Sequence, residues 1–113
     1  MKSVFPPDKA ELLFLDFDPS IGTEQKGKRP ALVITTKAFN KSVGKALMAP
    51  ITTTEPMTGF QVKIPDGLKI SGTILVDQVT MLDWKARQFS REGFLPRDIF
   101  EKVKDILHAV IDG

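Results

Sequence analysis

Three places in this 113-residue chain put polar side chains beside the end of an apolar run. Arg29 is followed at once by a proline and an apolar run, so we expect its backbone to be better anchored than the polar segment before it. An arginine guanidinium is always charged, and its planar fork fits a phosphate group. Thr52 and Thr53 end a second apolar run, and Asp77 and Gln78 end a third. Polar groups from three strand ends are what a site on the rim of a small barrel needs.

Each candidate also has a purely structural interpretation. Threonine hydroxyls after a strand can bond the local backbone. Asp77 can satisfy buried backbone N–H groups, an interpretation that we favour over catalysis. Glu24, in the polar segment before Arg29, can be an ordinary solvated acid. Trp84 stands among basic residues and can stack on a nucleic acid base, but a tryptophan is more often part of a core or an interface.

The composition excludes several kinds of site. The chain has no Cys, which excludes disulfides, thiolate zinc sites and a cysteine nucleophile. Its single His, His108, excludes a two-histidine metal site and a pair of histidines acting as acid and base. We expect His108 to lie on the surface of a helix. We therefore expect no metal and no cofactor.

Apolar residues make up 42% of the chain and charged residues 27%, which is typical of a folded globular protein. No apolar run approaches the roughly 18 residues of a membrane span. The N-terminus also lacks an apolar stretch long enough for a secretory signal. We expect a cytoplasmic protein without a membrane segment.

The net charge of +2 is unevenly distributed. Residues 26–45, here called the basic block, carry no acid and six basic residues: Lys26, Lys28, Arg29, Lys37, Lys41 and Lys45. This block suggests an anionic partner for one part of the surface. A solvated lysine-rich loop explains the same pattern equally well.

Hydrophobic patterning predicts short strands and one long helix. We expect strands over residues 11–17, 30–36, 45–51, 60–64 and 72–76, with weaker candidates over 79–83 and 86–94. The third strand should end near Pro50, and Thr36 should cap a helical turn over residues 37–40. An apolar stripe of Ile99, Val103, Ile106, Leu107 and Val110 predicts a helix over residues 96–111.

Several short strands followed by one C-terminal helix indicate a mainly β fold with helices. We expect a small, mostly antiparallel barrel, and a single domain over residues 1–113. This architecture does not by itself specify a function.

Five blocks of the sequence resemble the signature of the MazF/PemK toxin family. They occur in the family's order and span about residues 10 to 111. Each block alone is a weak signal, but five in order are a strong one. The blocks lie at residues 15–33, 38–40, 49–53, 77–79 and 83–87.

The resemblance implies an SH3-like barrel of the CcdB/MazF type that forms a homodimer. It further implies the toxin of a type II toxin–antitoxin system, an endoribonuclease that cleaves single-stranded RNA, including mRNA, at specific sequences and so inhibits translation and growth. Such enzymes need no metal. The ribose 2′-OH attacks the adjacent phosphate and leaves a 2′,3′-cyclic phosphate and a 5′-OH.

The resemblance also assigns roles to residues. Arg29 and Thr52 match the family's catalytic arginine and threonine, and Glu24 matches a loop acid implicated in activity. A fixed arginine and a hydroxyl donor can stabilise charge on a phosphoryl oxygen, and Glu24 is the nearest candidate base in sequence. Residues expected to bind RNA are Gln25, Lys26, Lys28, Thr53, Asp77 and Gln78.

Departures from the signature place the chain nearer the MazF branch. Leu75 and Thr23 stand where the Kid/PemK branch has an arginine and a histidine, so that branch's acid–base assignment does not transfer. Ala10-Glu11 replaces the Gly-Asp or Gly-Glu of most members, which we expect to affect only a turn.

The resemblance finally implies an inhibitor, a MazE-like antitoxin with an acidic, disordered tail that folds on binding. The alternative is a non-catalytic barrel that inhibits a protein partner such as gyrase, because gyrase-poisoning toxins share this fold.

Overall fold

The computed structural model describes residues 5–16, 28–54 and 59–113. Within these ranges, seven strands and two α-helices are joined by turns and by the short 3₁₀ helices Val76–Gln78 and Trp84–Ala86. The strands are β1 (Glu11–Asp16), β2 (Lys28–Val33), β3 (Ala46–Thr52), β4 (Gln61–Lys63), β5 (Thr73–Leu75), β6 (Thr80–Leu82) and β7 (Phe89–Phe94). The helices are α1 (Lys37–Val43) and α2 (Arg97–Asp112).

All strand pairs are antiparallel, in the order β4-β5-β3-β2-β1-β7. Strand β3 pairs with β2 on one side, while its other side is shared by two strands. Its first half pairs with β6 and its last residues pair with β5. The result is an open, curled sheet of the barrel-like kind that the sequence predicts.

Side chains alternate between two cores on opposite faces of this sheet, as the two-residue repeat of a strand requires. The helix-side core contains α2 residues Phe100 and Val103 together with Leu12, Leu32, Ala49, Ile51, Val62, Ile64, Ile70, Ile74, Val76 and Leu95. The Trp84 core contains Leu13, Leu15, Ala31, Val33, Ala46, Met48, Leu82 and Trp84.

The second and third strands end differently from the predicted bounds. Strand β2 ends at Val33, because Thr36 caps α1 by accepting the N–H of Phe39, and α1 continues to Val43. Strand β3 continues through Pro50 to Thr52. Its pairing with β6 ends at Met48 and its pairing with β5 begins at Ile51. Pro50 thus lies where that side of β3 changes partner, which is a place where a missing N–H is tolerated.

The predicted apolar stripe of α2 is correct at four positions and wrong at one. Ile99, Val103, Ile106 and Leu107 pack in or against the helix-side core. Val110 is 46% exposed, because the core contacts of α2 end at Leu107. Phe100, which the stripe omitted, is 4% exposed.

His108 is a surface residue, as expected, and its Nε2 lies 2.9 Å from the carboxylate of Asp112. Among the described residues, no helix has both the length and the apolar character that crossing a membrane requires.

Candidate active site

The β2–β3 register brings Arg29 and Thr52 together. Leu32 pairs with Ala49, and Ala31 pairs with Pro50. The paired residues end at Ala31–Pro50, and Arg29 and Thr52 each lie two residues further along their strands, so extending the register sets them opposite one another. Directly opposed residues point to the same face, with Cβ atoms about 4.5–5.5 Å apart. The N-terminal end of β2 and the C-terminal end of β3 therefore present a cation and a hydroxyl side by side.

The same rung continues across the sheet on both sides of this pair. Leu15 is opposite Arg29 and is fully buried, and Phe89 is opposite Leu15. Thr73 is opposite Thr52 and is 5% exposed. Because Leu15 belongs to the Trp84 core, Arg29 and Thr52 lie on the Trp84-core face, with an apolar residue beside the guanidinium stem. Arg29 itself is exposed and Thr52 is half-buried, so solvent or a ligand can reach the pair.

The hydroxyl of Thr52 is oriented by its own backbone. Thr52 Oγ1 accepts the N–H of Thr54 at 3.1 Å, which confirms the expected local bond to the backbone. A hydroxyl has two lone pairs and one proton. Accepting from Thr54 uses a lone pair and leaves the proton as a donor, so the local bond and a catalytic role are compatible.

Gly72 packs against the main chain of Thr52. Its φ angle is 129°, and a Cβ added there would lie 2.5 Å from the Thr52 carbonyl oxygen. A larger residue at this position would have to displace β3 at the candidate site. Sequence reasoning missed this role, although a glycine directly before a buried strand was a visible signal.

Asp77 and Gln78 do not lie on the Arg29–Thr52 rung, contrary to the expectation of three strand ends at one rim. Strand β5 runs antiparallel to β3, so its beginning at Thr73, and not its end, meets Thr52. Asp77 and Gln78 follow β5 in a 3₁₀ helix and are exposed. Exposure also contradicts the interpretation that Asp77 satisfies buried backbone groups.

The remaining predicted site residues fall into two groups. Lys28 lies opposite Asp16 on the last rung of the β1–β2 ladder, and Thr53 follows β3 directly; both are exposed. Glu24, Gln25 and Lys26 lie outside the described residues.

Comparison with known proteins identifies the family. Residues 8–111 match the family described as PemK-like, MazF-like toxin of type II toxin-antitoxin system. The chain belongs to this family. Endoribonuclease toxin MazF of Escherichia coli K12 is 33% identical over 111 residues, which cover 98% of this chain and 99% of that protein.

Solved structures of the family share the fold. A MazF structure from Deinococcus radiodurans (Form-I) has a TM-score of 0.85 and 33% identity, covering 97% of this chain and 100% of its own. A MazE-MazF structure from the same organism (Form-II) has a TM-score of 0.84 and 29% identity, covering 96% and 98%.

The family block at residues 83–87 has a structural role in this chain. Trp84 is 5% exposed, and its indole N–H donates to the Asn40 carbonyl at 3.2 Å, so it belongs to the core and is not exposed for base stacking. Asp83 caps the following 3₁₀ helix by accepting from the N–H groups of Lys85 and Ala86. Desolvation raises the pKa of Asp83, but these N–H groups and the Lys85 ammonium outweigh it and lower the pKa below its ordinary value of 3.8.

The part of the chain that the structure describes contains no group of three or more His, Cys, Asp or Glu residues suited to a metal ion. The candidate site instead consists of a guanidinium, a hydroxyl and nearby lysine. This donor set suits a phosphodiester anion.

Proposed function

We propose that this protein is the endoribonuclease toxin of a type II toxin–antitoxin system and cleaves single-stranded RNA at specific sequences without a metal ion. The arrangement that carries the proposal is the opposition of Arg29 and Thr52 across β2 and β3. Membership of the PemK/MazF-like family supports it. Cleavage of mRNA in the cell would inhibit translation and growth.

The reaction is a transesterification at phosphorus. The ribose 2′-oxygen forms a bond to the adjacent phosphorus and loses its proton, the bond from phosphorus to the 5′-oxygen breaks, and the leaving oxygen gains a proton. The products are a 2′,3′-cyclic phosphate and a 5′-OH. Negative charge builds on the phosphoryl oxygens in the transition state, and donors fixed in advance stabilise it most effectively.

In the proposed mechanism, Arg29 and Thr52 supply these donors. The guanidinium fork of Arg29 offers charged N–H groups, and Thr52 offers the proton that its bond to Thr54 leaves available. One donor of this kind contributes about 10²–10³-fold in rate. We assign proton removal from the 2′-OH to Glu24, an acid that precedes β2 in the sequence.

The RNA path extends from this pair. Lys28 and Thr53 flank Arg29 and Thr52 in sequence, and we assign them to phosphate and base contacts. We assign the same role to Gln25 and Lys26, which follow Glu24 in the sequence, and to Asp77 and Gln78 of the exposed 3₁₀ helix. Cationic contacts to phosphates should weaken as salt is raised.

We further propose a homodimer that is inhibited by an antitoxin with an acidic, disordered tail, in a single-domain protein of the cytoplasm. The related MazE-MazF structures support an antitoxin partner. An acidic tail complements the cations at the start of β2.

The decisive test is incubation of the purified protein with a long RNA in EDTA, followed by end analysis of the fragments. We expect discrete cuts with 2′,3′-cyclic phosphate and 5′-OH ends. Intact RNA across varied substrates would overturn the nuclease assignment and favour the gyrase-type binder. Cleavage that occurs only after metal is added would overturn the metal-independent mechanism.

Two pairs of matched variants test the site. Arg29→Ala and Thr52→Val should each lower kcat by about 10²-fold or more with the fold retained. Their controls are Arg97→Ala and Thr80→Val, which change the same residue types at exposed positions of α2 and β6. Glu24→Gln tests the base and should lower kcat most at higher pH, where the wild-type carboxylate is ionised, and the difference from wild type should narrow as the pH falls. Wild-type kcat in a site variant would remove that residue from the mechanism.

A further inference from the structure

The side chain of Arg87 connects the end of β1 with the segment around Asp83, close to the candidate site. Its Nε donates to the carbonyl oxygen of Asp16 at 2.9 Å, and its Nη1 donates to the carbonyl oxygen of Asp83 at 3.0 Å. Asp16 is the last residue of β1 and lies opposite Lys28, the first residue of β2. The guanidinium therefore contacts the last rung of the β1–β2 ladder, next to the rung that holds Arg29.

The bond between Arg87 and Asp16 extends the hydrogen bonding of β1 past the point where its pairing with β7 ends. On the other side of β1, the pairing with β7 ends where Leu15 meets Phe89. One residue further along β1, the Nε–H of Arg87 bonds the Asp16 carbonyl in place of a strand. Asp16 is thus held on both sides, by its rung with Lys28 and by Arg87.

The anchor of this contact is itself rigid. The Asp83 carboxylate accepts from the N–H of Lys85 at 3.0 Å and from the N–H of Ala86 at 3.2 Å. Trp84, which lies between Asp83 and Lys85 in the sequence, is buried in the Trp84 core. A planar guanidinium held by two carbonyl groups loses less freedom per hydrogen bond than a flexible ammonium would. Arg87 therefore connects the end of β1 to a segment, Asp83 and the 3₁₀ helix after it, that is itself fixed to the core.

We propose that Arg87 is a positioning residue that holds the end of the β1–β2 ladder and thereby sets the place of Arg29. The inference rests on the proposed function only in treating Arg29 as catalytic. Terminal rungs open most easily, with local free energies that approach zero. Loss of the Asp16–Lys28 rung would make Arg29 the frayed end of β2 and release it from its position opposite Thr52. A displacement of about 1 Å can reduce a rate by about 10²-fold.

The test compares Arg87→Met with Arg87→Lys and Arg91→Met. Methionine keeps an apolar stem and removes both donors, whereas lysine keeps the charge without the planar fork. Arg91 is the matched control, because its guanidinium also donates to a main-chain carbonyl, that of Phe5. It donates to the carboxylate of Glu11 as well. These bonds lie towards the opposite end of β1 from Asp16. Single-turnover and steady-state cleavage of an oligonucleotide around a mapped cut site gives kcat and KM, and amide exchange of Leu15, Lys28 and Arg29 reports the ladder.

We expect Arg87→Met to lower kcat by about 10- to 100-fold with little change in KM, and to speed amide exchange at Lys28 and Arg29. Arg87→Lys should lie between this variant and the wild type. Arg91→Met should melt at a lower temperature yet keep kcat within about twofold, since the hydrogen bonds of Arg91 reach Phe5 and Glu11 and not the Asp16–Lys28 rung.

Three results would overturn the positioning role: wild-type kcat in Arg87→Met, unchanged exchange at Lys28 and Arg29, or a rise in KM alone, which would indicate direct contact of Arg87 with RNA. Failure of the proposed function has a different signature, namely full activity in Arg29→Ala. Amide exchange requires no RNA, so it decides the effect of Arg87 on the ladder in either case.

Discussion

Replacing Asn40 with aspartate should destabilise the protein in a pH-dependent way. Asn40 is fully buried, and its Nδ2 donates to the carbonyl oxygens of Pro7 at 2.7 Å and Thr35 at 3.0 Å. Its Oδ1 accepts from the hydroxyl of Thr35 at 2.5 Å. The side chain thus connects α1 to the N-terminal segment and to the residues between β2 and α1. Aspartate has the same shape but presents an oxygen to two carbonyl oxygens.

The magnitude follows from these bonds. Two carbonyl groups lose their donor, at about 1–3 kcal/mol for each buried group left without a partner. The expected loss near neutral pH is therefore about 2–6 kcal/mol, a large part of the roughly 5–15 kcal/mol of a typical domain. At this chain length such a loss lowers Tm by roughly 15 °C.

The pH dependence has a definite sign. Burial beside two carbonyl oxygens should raise the pKa of the introduced carboxyl above its value in the unfolded chain, since the charged form is disfavoured. Stability should therefore be highest below the unfolded pKa, where the acid is protonated and can donate to one carbonyl. It should fall as the pH rises through the raised pKa of the folded state.

The assay is urea unfolding followed by fluorescence of Trp84, the single tryptophan, whose indole N–H donates to the Asn40 carbonyl. Asn40→Leu, which has a similar volume and no polar atoms, is the control and should show a comparable loss without the added pH dependence. Equal stability of Asn40→Asp and wild type at pH 7 would refute the reasoning. A deficit that stays constant between pH 7 and pH 4 would refute the assigned cause.

Three further predictions concern other parts of the fold. Ala10 has a φ of 69°, in the region that glycine adopts most readily, so Ala10→Gly should raise stability by about 0.5–1 kcal/mol in the same unfolding assay; a loss would show that the strain is absent in solution. Gly72→Ala should lower both Tm and kcat because its Cβ would meet the Thr52 carbonyl, and an unchanged kcat would mean that Thr52 does not depend on this contact. Asp83→Asn should remove a contribution to stability that is present above pH 3.8 and is lost as the pH falls through the lower pKa of the folded state. The free energies of unfolding of the two proteins should therefore converge as the pH is lowered through that range.

Local patterns were sufficient to predict most elements. Apolar runs and alternation indicated the strands, because each strand must bury at least one face whatever its neighbours are. The spacing of Ile99, Val103 and Ile106 predicted α2, and Thr36 predicted the start of α1 through a bond to a residue only three positions away. Motif order then indicated the family and, through it, the candidate pair Arg29 and Thr52.

Long-range register decided what those patterns could not. Arg29 and Thr52 are 23 positions apart in the chain, and only the β2–β3 pairing makes them neighbours. Asp77 follows an apolar run just as Thr52 does, but the antiparallel direction of β5 places it away from that rung. The exposure of Val110 depends on where the core beneath α2 ends, which is a property of the packed sheet.

The residues at 83–87 show the same division. Their types suggested a cation-rich surface with a ring for stacking, but packing buries Trp84 and directs Arg87 to a carbonyl 71 positions away. A sequence specifies which groups are available and which local turns they favour. The tertiary structure selects the partner of each group, because hydrogen bonds and close contacts depend on distances that the chain sets only when strands and helices have packed together.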